Sequence, residues 1–310
     1  MARGRKKGAK KKGFRLRFPN WANWAILGVV IVASAYWIYI SFFAGPPIYQ
    51  LPANITYQPQ EWMTFVPSDT SYLQFYNYTS ILESPAGLSA LKNDTALYLS
   101  DNGYNLTATN TTAVFGVWFT EQIVVNVFQP KPQTYWDFYS IMNSTVVSVN
   151  EKGILYFFPS PQEPKPGLKA FLVFYDGFVF YGEGGTAMQQ LIAKLINTHN
   201  GLEPSFFTPE RQVEYYLITN TRDHIMGLNF LPGASTAGTH EIVTIAYDSG
   251  GYISLSNYYA YKTQADAINF YPQAKQSFFQ KFYSSYIIGN FIEATRTFKW
   301  EDVTTVLSMI

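Results

Sequence analysis

The stretch AFLVFYDGFVFY, residues 170–181, sets two apolar, aromatic-rich runs on either side of Asp176-Gly177. Such runs around Asp-Gly predict a two-residue β-hairpin with a type I′ turn, whose two central residues both need positive φ. A helical pattern, Ala187 to Ile196, follows at once. Two further stretches share this plan. Ala113–Phe119 and Ile123–Phe128 flank Thr120-Glu121-Gln122 and lead into a helical Tyr135–Met142. Ile242–Tyr247 and Gly251–Leu255 flank Asp248-Ser249-Gly250 and lead into Lys262–Phe270. The three turns are unevenly spaced, which excludes a solenoid of fixed period. The expected architecture is an α+β domain of antiparallel hairpins each followed by a helix, with that unit duplicated.

Outward from these units the signals are of other kinds. Val146–Val149 and Ile154–Phe158 read as a further hairpin, and PSPQEPKPG, residues 159–167, as a Pro-rich link between an N-terminal subdomain (62–158) and a C-terminal α+β subdomain (168–310). Tyr72–Tyr78 predicts the first strand, Ser84–Lys92 a helix limited by Pro85 and Gly87, and Asp101–Thr112 an exposed loop. Phe278, Phe282 and Tyr286 recur every fourth residue, which predicts an amphipathic helix from about Gln273 to Ile287. Residues 44–61, with Pro46, Pro47, Pro52 and Pro59, favour extended backbone and read as a semi-rigid spacer.

Ahead of the spacer the chain changes character. WANWAILGVVIVASAYWIYISFF, residues 21–43, carries no charged side chain. As a helix it would be about 34 Å long, enough to cross a hydrocarbon core of ~30 Å. Trp21 and Trp24 at one end, and Tyr36, Trp37 and Tyr39 towards the other, stand where rings prefer the headgroup level. Nine of the 22 basic residues precede it, within a tail at 1–20: Arg3, Arg5, Lys6, Lys7, Lys10, Lys11, Lys12, Arg15 and Arg17. No acidic residue occurs before Glu61. The run is too long for a secretory signal, and Phe42 and Phe43 spoil a small-residue cleavage site, so an uncleaved signal anchor is expected. The basic flank then stays in the cytoplasm, against anionic headgroups, and the rest of the chain lies outside the cell membrane. RNA or an acidic cytoplasmic partner is the competing reading of the same charge.

With the tail removed, 13 basic residues face 21 acidic ones, a balance of −8 behind the formal +1 of the whole chain. The chain has no Cys, which excludes disulfides, thiolate metal sites and a thiol nucleophile. In composition alone, a Cys-free exported chain rich in Tyr, Asn and Thr resembles surface proteins of archaea from hot acidic habitats. Asn-x-Ser/Thr acceptors occur at Asn54, Asn77, Asn93, Asn105, Asn110 and Asn143, and none occurs from Asn150 to Asn290. The membrane-near half is therefore expected to be a glycoprotein surface and the far half bare.

Signals for chemistry are sparse. The three His are His199 at a helix end, His224 after Asp223 in a polar turn, and His240 before Glu241 at a strand start. They show neither helical i, i+4 metal spacing nor a Gly-x-Ser-x-Gly elbow. Gly182-Glu183-Gly184-Gly185 precedes a helix but lacks the Lys-Ser/Thr of a phosphate loop, and a turn capping the helix through Thr186 accounts for it. Tyr215-Tyr216 and Tyr258-Tyr259, read as strand residues, would each send one ring to the core and one to an interface. No catalytic residue, cofactor or metal is expected. The sequence favours a non-catalytic accessory or assembly subunit of a cell-envelope or membrane complex, with a protein partner on the external face. An ectoenzyme using carboxylates or a metal, and an extracellular ligand-binding module, are the alternatives.

Overall fold

A computed structural model describes residues 20–42, 48–49, 60–91, 95–99, 104–120, 123–145, 148–151, 154–157, 170–183, 186–219, 222, 224–233, 238–277 and 284–310. The chain divides into two units, residues 1–46 and 47–310. In the first unit, Asn20–Phe42 form one α-helix, α1, with no acid in its first turn and no base in its last. Its side chains are described over residues 24–39, and all of them are exposed, Trp24, Tyr36, Trp37 and Tyr39 included. Among the described residues no helix is long and apolar enough to cross a membrane. The basic residues 3–17 lie outside the described residues.

The second unit is a mixed α+β domain dominated by an antiparallel sheet. Its strands are β1 (Ile48–Tyr49), β2 (Tyr72–Asn77), β3 (Thr95–Leu99), β4 (Tyr104–Thr107), β5 (Thr111–Thr120), β6 (Ile123–Pro130), β7 (Ser148–Glu151), β8 (Ile154–Phe157), β9 (Ala170–Tyr175), β10 (Phe178–Glu183), β11 (Ile225–Pro232), β12 (Glu241–Asp248), β13 (Tyr252–Ala260), β14 (Ser284–Ile288) and β15 (Phe291–Lys299). Its helices are α2 (Tyr78–Glu83), α3 (Pro85–Leu91), α4 (Pro132–Thr145), α5 (Thr186–His199), α6 (Pro209–Thr219), α7 (Gln264–Ser277) and α8 (Val303–Leu307). Thirteen strands form one sheet in the order β1-β14-β15-β13-β12-β11-β2-β5-β6-β10-β9-β8-β7, and β3 and β4 make a separate ribbon.

Five-strand runs with one internal order make up most of that sheet. β2-β5-β6-β10-β9 and β11-β12-β13-β15-β14 each contain a single strand, a hairpin, and a second hairpin whose later strand lies inward. Between its two hairpins the chain runs through α7 in one run, and through α4 followed by β7 and β8 in the other. The runs meet in the antiparallel β2–β11 pair, Phe75 opposite Leu228 and Gln74 opposite Asn229. That order is the one produced by a two-fold axis normal to the sheet. The expected hairpins are all present, and Asp176 (φ 48) and Gly177 (φ 81) carry the positive φ values of a type I′ turn.

Period-two alternation decides what covers each face. On β9, Phe171 and Val173 enter one core while Leu172 and Phe174 enter another on the opposite side. The larger core joins the sheet to α5, α6, Trp62 and Phe65 of a 3-10 turn at Glu61–Phe65, and Phe206 and Phe207. Each fully buried Phe or Leu in it contributes about 1.5–3 kcal/mol. The other face carries three separate clusters, under α4, under α7, and under α2, α3 and α8 together.

Some expectations are corrected. Residues 104–107 of the expected loop 101–112 form β4, and 108–110 a 3-10 turn. Ile48–Tyr49 of the expected spacer pair in parallel with Ile287–Ile288 at the sheet edge. The helix expected over Gln273–Ile287 stops at Ser277, Phe278 and Phe282 lie outside the described residues, and Tyr286 belongs to β14. Recurrence every fourth residue also fits period two, and the pairing of β14 with β15 selects the strand. The link at 159–167 lies outside the described residues, and the strands on either side of it, β8 and β9, pair in the same sheet.

Candidate functional site

His199 closes α5 over the β9–β10 turn. Its Nε2 lies 3.0 Å from Asp176 Oδ2 and its Nδ1 2.7 Å from Thr64 Oγ1. The imidazole stacks on Phe65 with centroids 4.1 Å apart. A Thr-His-Asp chain resembles the relay of a nucleophilic enzyme, so the position of the hydroxyl proton decides its meaning. Thr64 Oγ1 also lies 2.6 Å from Glu61 O, and a carbonyl oxygen only accepts. The single Thr64 proton therefore goes to Glu61 O, leaving lone pairs for His199 Nδ1. His199 Nδ1 and Nε2 each take one hydrogen bond, with donor and acceptor set by the imidazole tautomer. The set clasps three segments together: the 3-10 turn, the end of α5, and the hairpin turn.

Beside the clasp is a cleft of about 260 Å³ lined by Glu61, Gln129, Tyr135, Trp136 and Asp176 among others. Trp136 is 60% exposed. Near-perpendicular contacts with Tyr135 (5.1 Å, 85°) and Tyr139 (5.9 Å, 76°) fix its indole plane. Burial raises the Tyr135 phenol above its ordinary value, and a hydrogen bond with the Gly177 backbone works against that shift. Thr112 Oγ1 donates to Gln129 O at 2.7 Å along the same wall. A wider cleft of about 570 Å³ lies between α3 and α8, lined by Tyr76, Tyr78, Leu91 and Leu307, and the two phenols are the ionisable groups among its described lining residues.

Two buried ion pairs stand under α6 and just beyond it. Arg211 bonds to Glu241, which is 3% exposed, and stacks on Phe206 at 3.7 Å. Glu214 nearby is raised above the usual carboxylate range, by burial first and then by Glu241. Arg222 Nη2 lies 2.7 Å from Glu293 Oε1, and Glu293 is 1% exposed. Ser256 and Thr295 also donate to Oε1, at 2.9 and 3.0 Å. Burial alone would lower the Arg222 pKa, but Tyr258, Glu293 and Tyr247 outweigh it and hold the guanidinium charged. Tyr258 and Tyr286 are pushed well above the ordinary phenol value, chiefly by burial and then by Glu293.

The residues singled out in the sequence are dispersed. His224 Nδ1 pairs with Glu83 at 2.8 Å on the surface, and Glu241 next to exposed His240 pairs with Arg211. Asp223 lies outside the described residues. Among the described residues no three His, Asp or Glu converge as metal ligands. Gly182 lies within β10, where a Cβ would meet Met188 Cγ at 2.7 Å, so close packing of α5 explains it. Tyr215 and Tyr216 are on α6 rather than a strand, Tyr215 in the core and Tyr216 half-buried. Tyr258 is buried, and Tyr259 packs against the α7 cluster.

Among the acceptor asparagines, Asn77 Oδ1 caps α2 by accepting from Ser80 N at 3.2 Å. Asn110 Oδ1 accepts from Thr107 N at 2.7 Å in a capping box. Asn105 and Asn143 fall within β4 and α4, while Asn54 and Asn93 lie outside the described residues. The His199 clasp escaped sequence reading because its partners are 135 and 23 residues away.

No family model matches the chain, and no curated protein matches it. Crystal form I of TP0453 is similar at 13% identity and a TM-score of 0.44, over 83% of this chain and 98% of that one. Crystal form IV gives 11% and 0.42, over 82% and 97%. Likeness at that level fixes neither family nor function.

Proposed function

We propose that the chain is a single-pass membrane protein with its basic N-terminus in the cytoplasm, and that its α+β domain is a non-catalytic, external accessory or assembly subunit of a cell-envelope complex. The observation that carries this reading is α1. Trp24, Ile26, Leu27, Val29, Val30, Ile31 and Val32 are all exposed on it, at 47–74%. A helix apolar on every side needs an apolar surrounding, either a protein core or a bilayer. With residues 21–23 and 40–43 added from the sequence, the apolar run reaches the length of a membrane span. The nine basic residues before it support a cytoplasmic N-terminus, and the acceptor asparagines support an external domain.

The clasp at His199 supports the accessory role over an ectoenzyme, because the Thr64 hydroxyl already donates to Glu61 O and the His199 and Asp176 contacts tie three chain segments together. The test is to fractionate cells of the native host, wash the membranes with alkaline carbonate, and treat intact cells with protease. The chain should stay in the washed membranes, lose its domain to external protease, and co-purify with a membrane complex. Release by carbonate would sink the anchor, and protection in intact cells would sink the orientation. Purification without any partner would sink the accessory role.

A further inference from the structure

The cleft beside Asp176 has a composition that the accessory role does not use. The geometry points to a saccharide-binding site, in which the exposed face of Trp136 receives the apolar face of one sugar ring while Glu61, Asp176 and Gln129 take its hydroxyls. Trp136 is the large exposed ring of the cleft, and Tyr135 and Tyr139 hold its plane before any ligand arrives. A preorganised platform of this kind loses little side-chain freedom on binding. Around it stand two carboxylates that accept and an amide that both donates and accepts, the mixture that vicinal hydroxyls require.

A cationic ligand fits less well. Cation recognition uses several aromatic faces around the charge, and here Tyr135 is 7% exposed, leaving Trp136 as the exposed ring among the described lining residues. Asp176 is moreover already bonded through Oδ2 to His199. A volume near 260 Å³ is below the ~300 Å³ at which sites for drug-sized ligands begin, which suits one or two sugar rings better than a lipid tail. Asp176 sits on a turn fixed by positive φ at two residues and by the His199 clasp, so its carboxylate is set in place from three segments.

The test uses the full chain in a sugar-free zwitterionic detergent and saturation-transfer NMR, with methyl glucoside, methyl mannoside, N-acetylglucosamine, cellobiose and maltose as probes. At least one glycoside should receive saturation on its ring protons. Trp136→Ala should weaken it by roughly tenfold or more, about 1.4 kcal/mol, without lowering the melting temperature. Asp176→Asn, which keeps a residue tolerant of positive φ, should weaken the same probe. Tetramethylammonium and lysine serve as cation controls. No transfer to any glycoside, transfer unchanged in Trp136→Ala, or binding of the cations in place of the sugars would each overturn the proposal. The anchor and the accessory role are read from membrane fractionation, so they stand or fall separately.

Discussion

Phe75 on β2 stands directly opposite Leu228 on β11, in the strand pair that joins the two five-strand runs. Both are buried, at 4% and 0% exposure, and Phe75 is stacked against Trp62 with centroids 4.4 Å apart. Truncating either should be severe, about 2–5 kcal/mol for Leu228→Ala and about 3–5 for Phe75→Ala. Because the pair shares one contact, the double variant should lose less than the sum. Denaturant unfolding of the three variants measures this, and strict additivity would show that the two halves are not coupled at that junction.

The legible part of this fold was local, and the illegible part was carried by pairing across the chain. Asp176-Gly177 announced its own turn, and the first and third predicted units prove to be equivalent members of the two runs. The partner of the middle unit was hidden. β14–β15 is the counterpart of β9–β10, but Phe278, Phe282 and Tyr286 fit a helix as well as a strand, and β15 supplies the deciding hydrogen bonds. The candidate cleft was less visible still. Glu61, Gln129, Trp136 and Asp176 come from four separate segments, and no spacing rule links them.

Glu214 gives a pH signature. Burial and Glu241 raise its folded pKa above the ordinary 4.5, so the folded state binds its proton more tightly than the unfolded chain. That contribution is fully present below the unfolded value and is lost as pH rises through the folded one. At pH 7 the ionised group therefore opposes folding. Glu214→Gln should raise the melting temperature at pH 7 and change little at pH 3. An equal shift at both pH values would contradict the assigned cause.

Asn77 separates capping from glycosylation. Its Oδ1 caps α2, and Asp caps as well as Asn but accepts no glycan. Asn77→Asp should keep stability in protein made without glycosylation, whereas Asn77→Ala should lose about 1 kcal/mol. In the native host, mass spectrometry should show Asn77→Asp lighter by one glycan. An unchanged glycan mass would remove Asn77 from the sugar-coated surface.

The Arg222–Glu293 pair makes the sharpest energetic case, because a buried ion pair is damaging to break and far less so to replace. Glu293 is 1% exposed and its Oε2 has no hydrogen-bond partner among the described residues. Removing Arg222 leaves that carboxylate buried without its counter-charge, so Arg222→Met should lose about 3–5 kcal/mol. Arg222→Met combined with Glu293→Gln removes both charges and leaves Ser256 and Thr295 an oxygen to donate to, so it should recover much of the loss. The neighbouring phenols add a dependence at the alkaline end. Tyr258 and Tyr286 have raised folded values, so their stabilising contribution is complete below about pH 10 and falls above it as the unfolded chain ionises first. Wild type should lose stability more steeply above that pH than a Tyr286→Phe variant. Equal slopes would mean that Tyr286 is not held neutral by burial and Glu293, and a double variant no more stable than Arg222→Met alone would mean that the charge on Glu293 is not what makes the single change damaging.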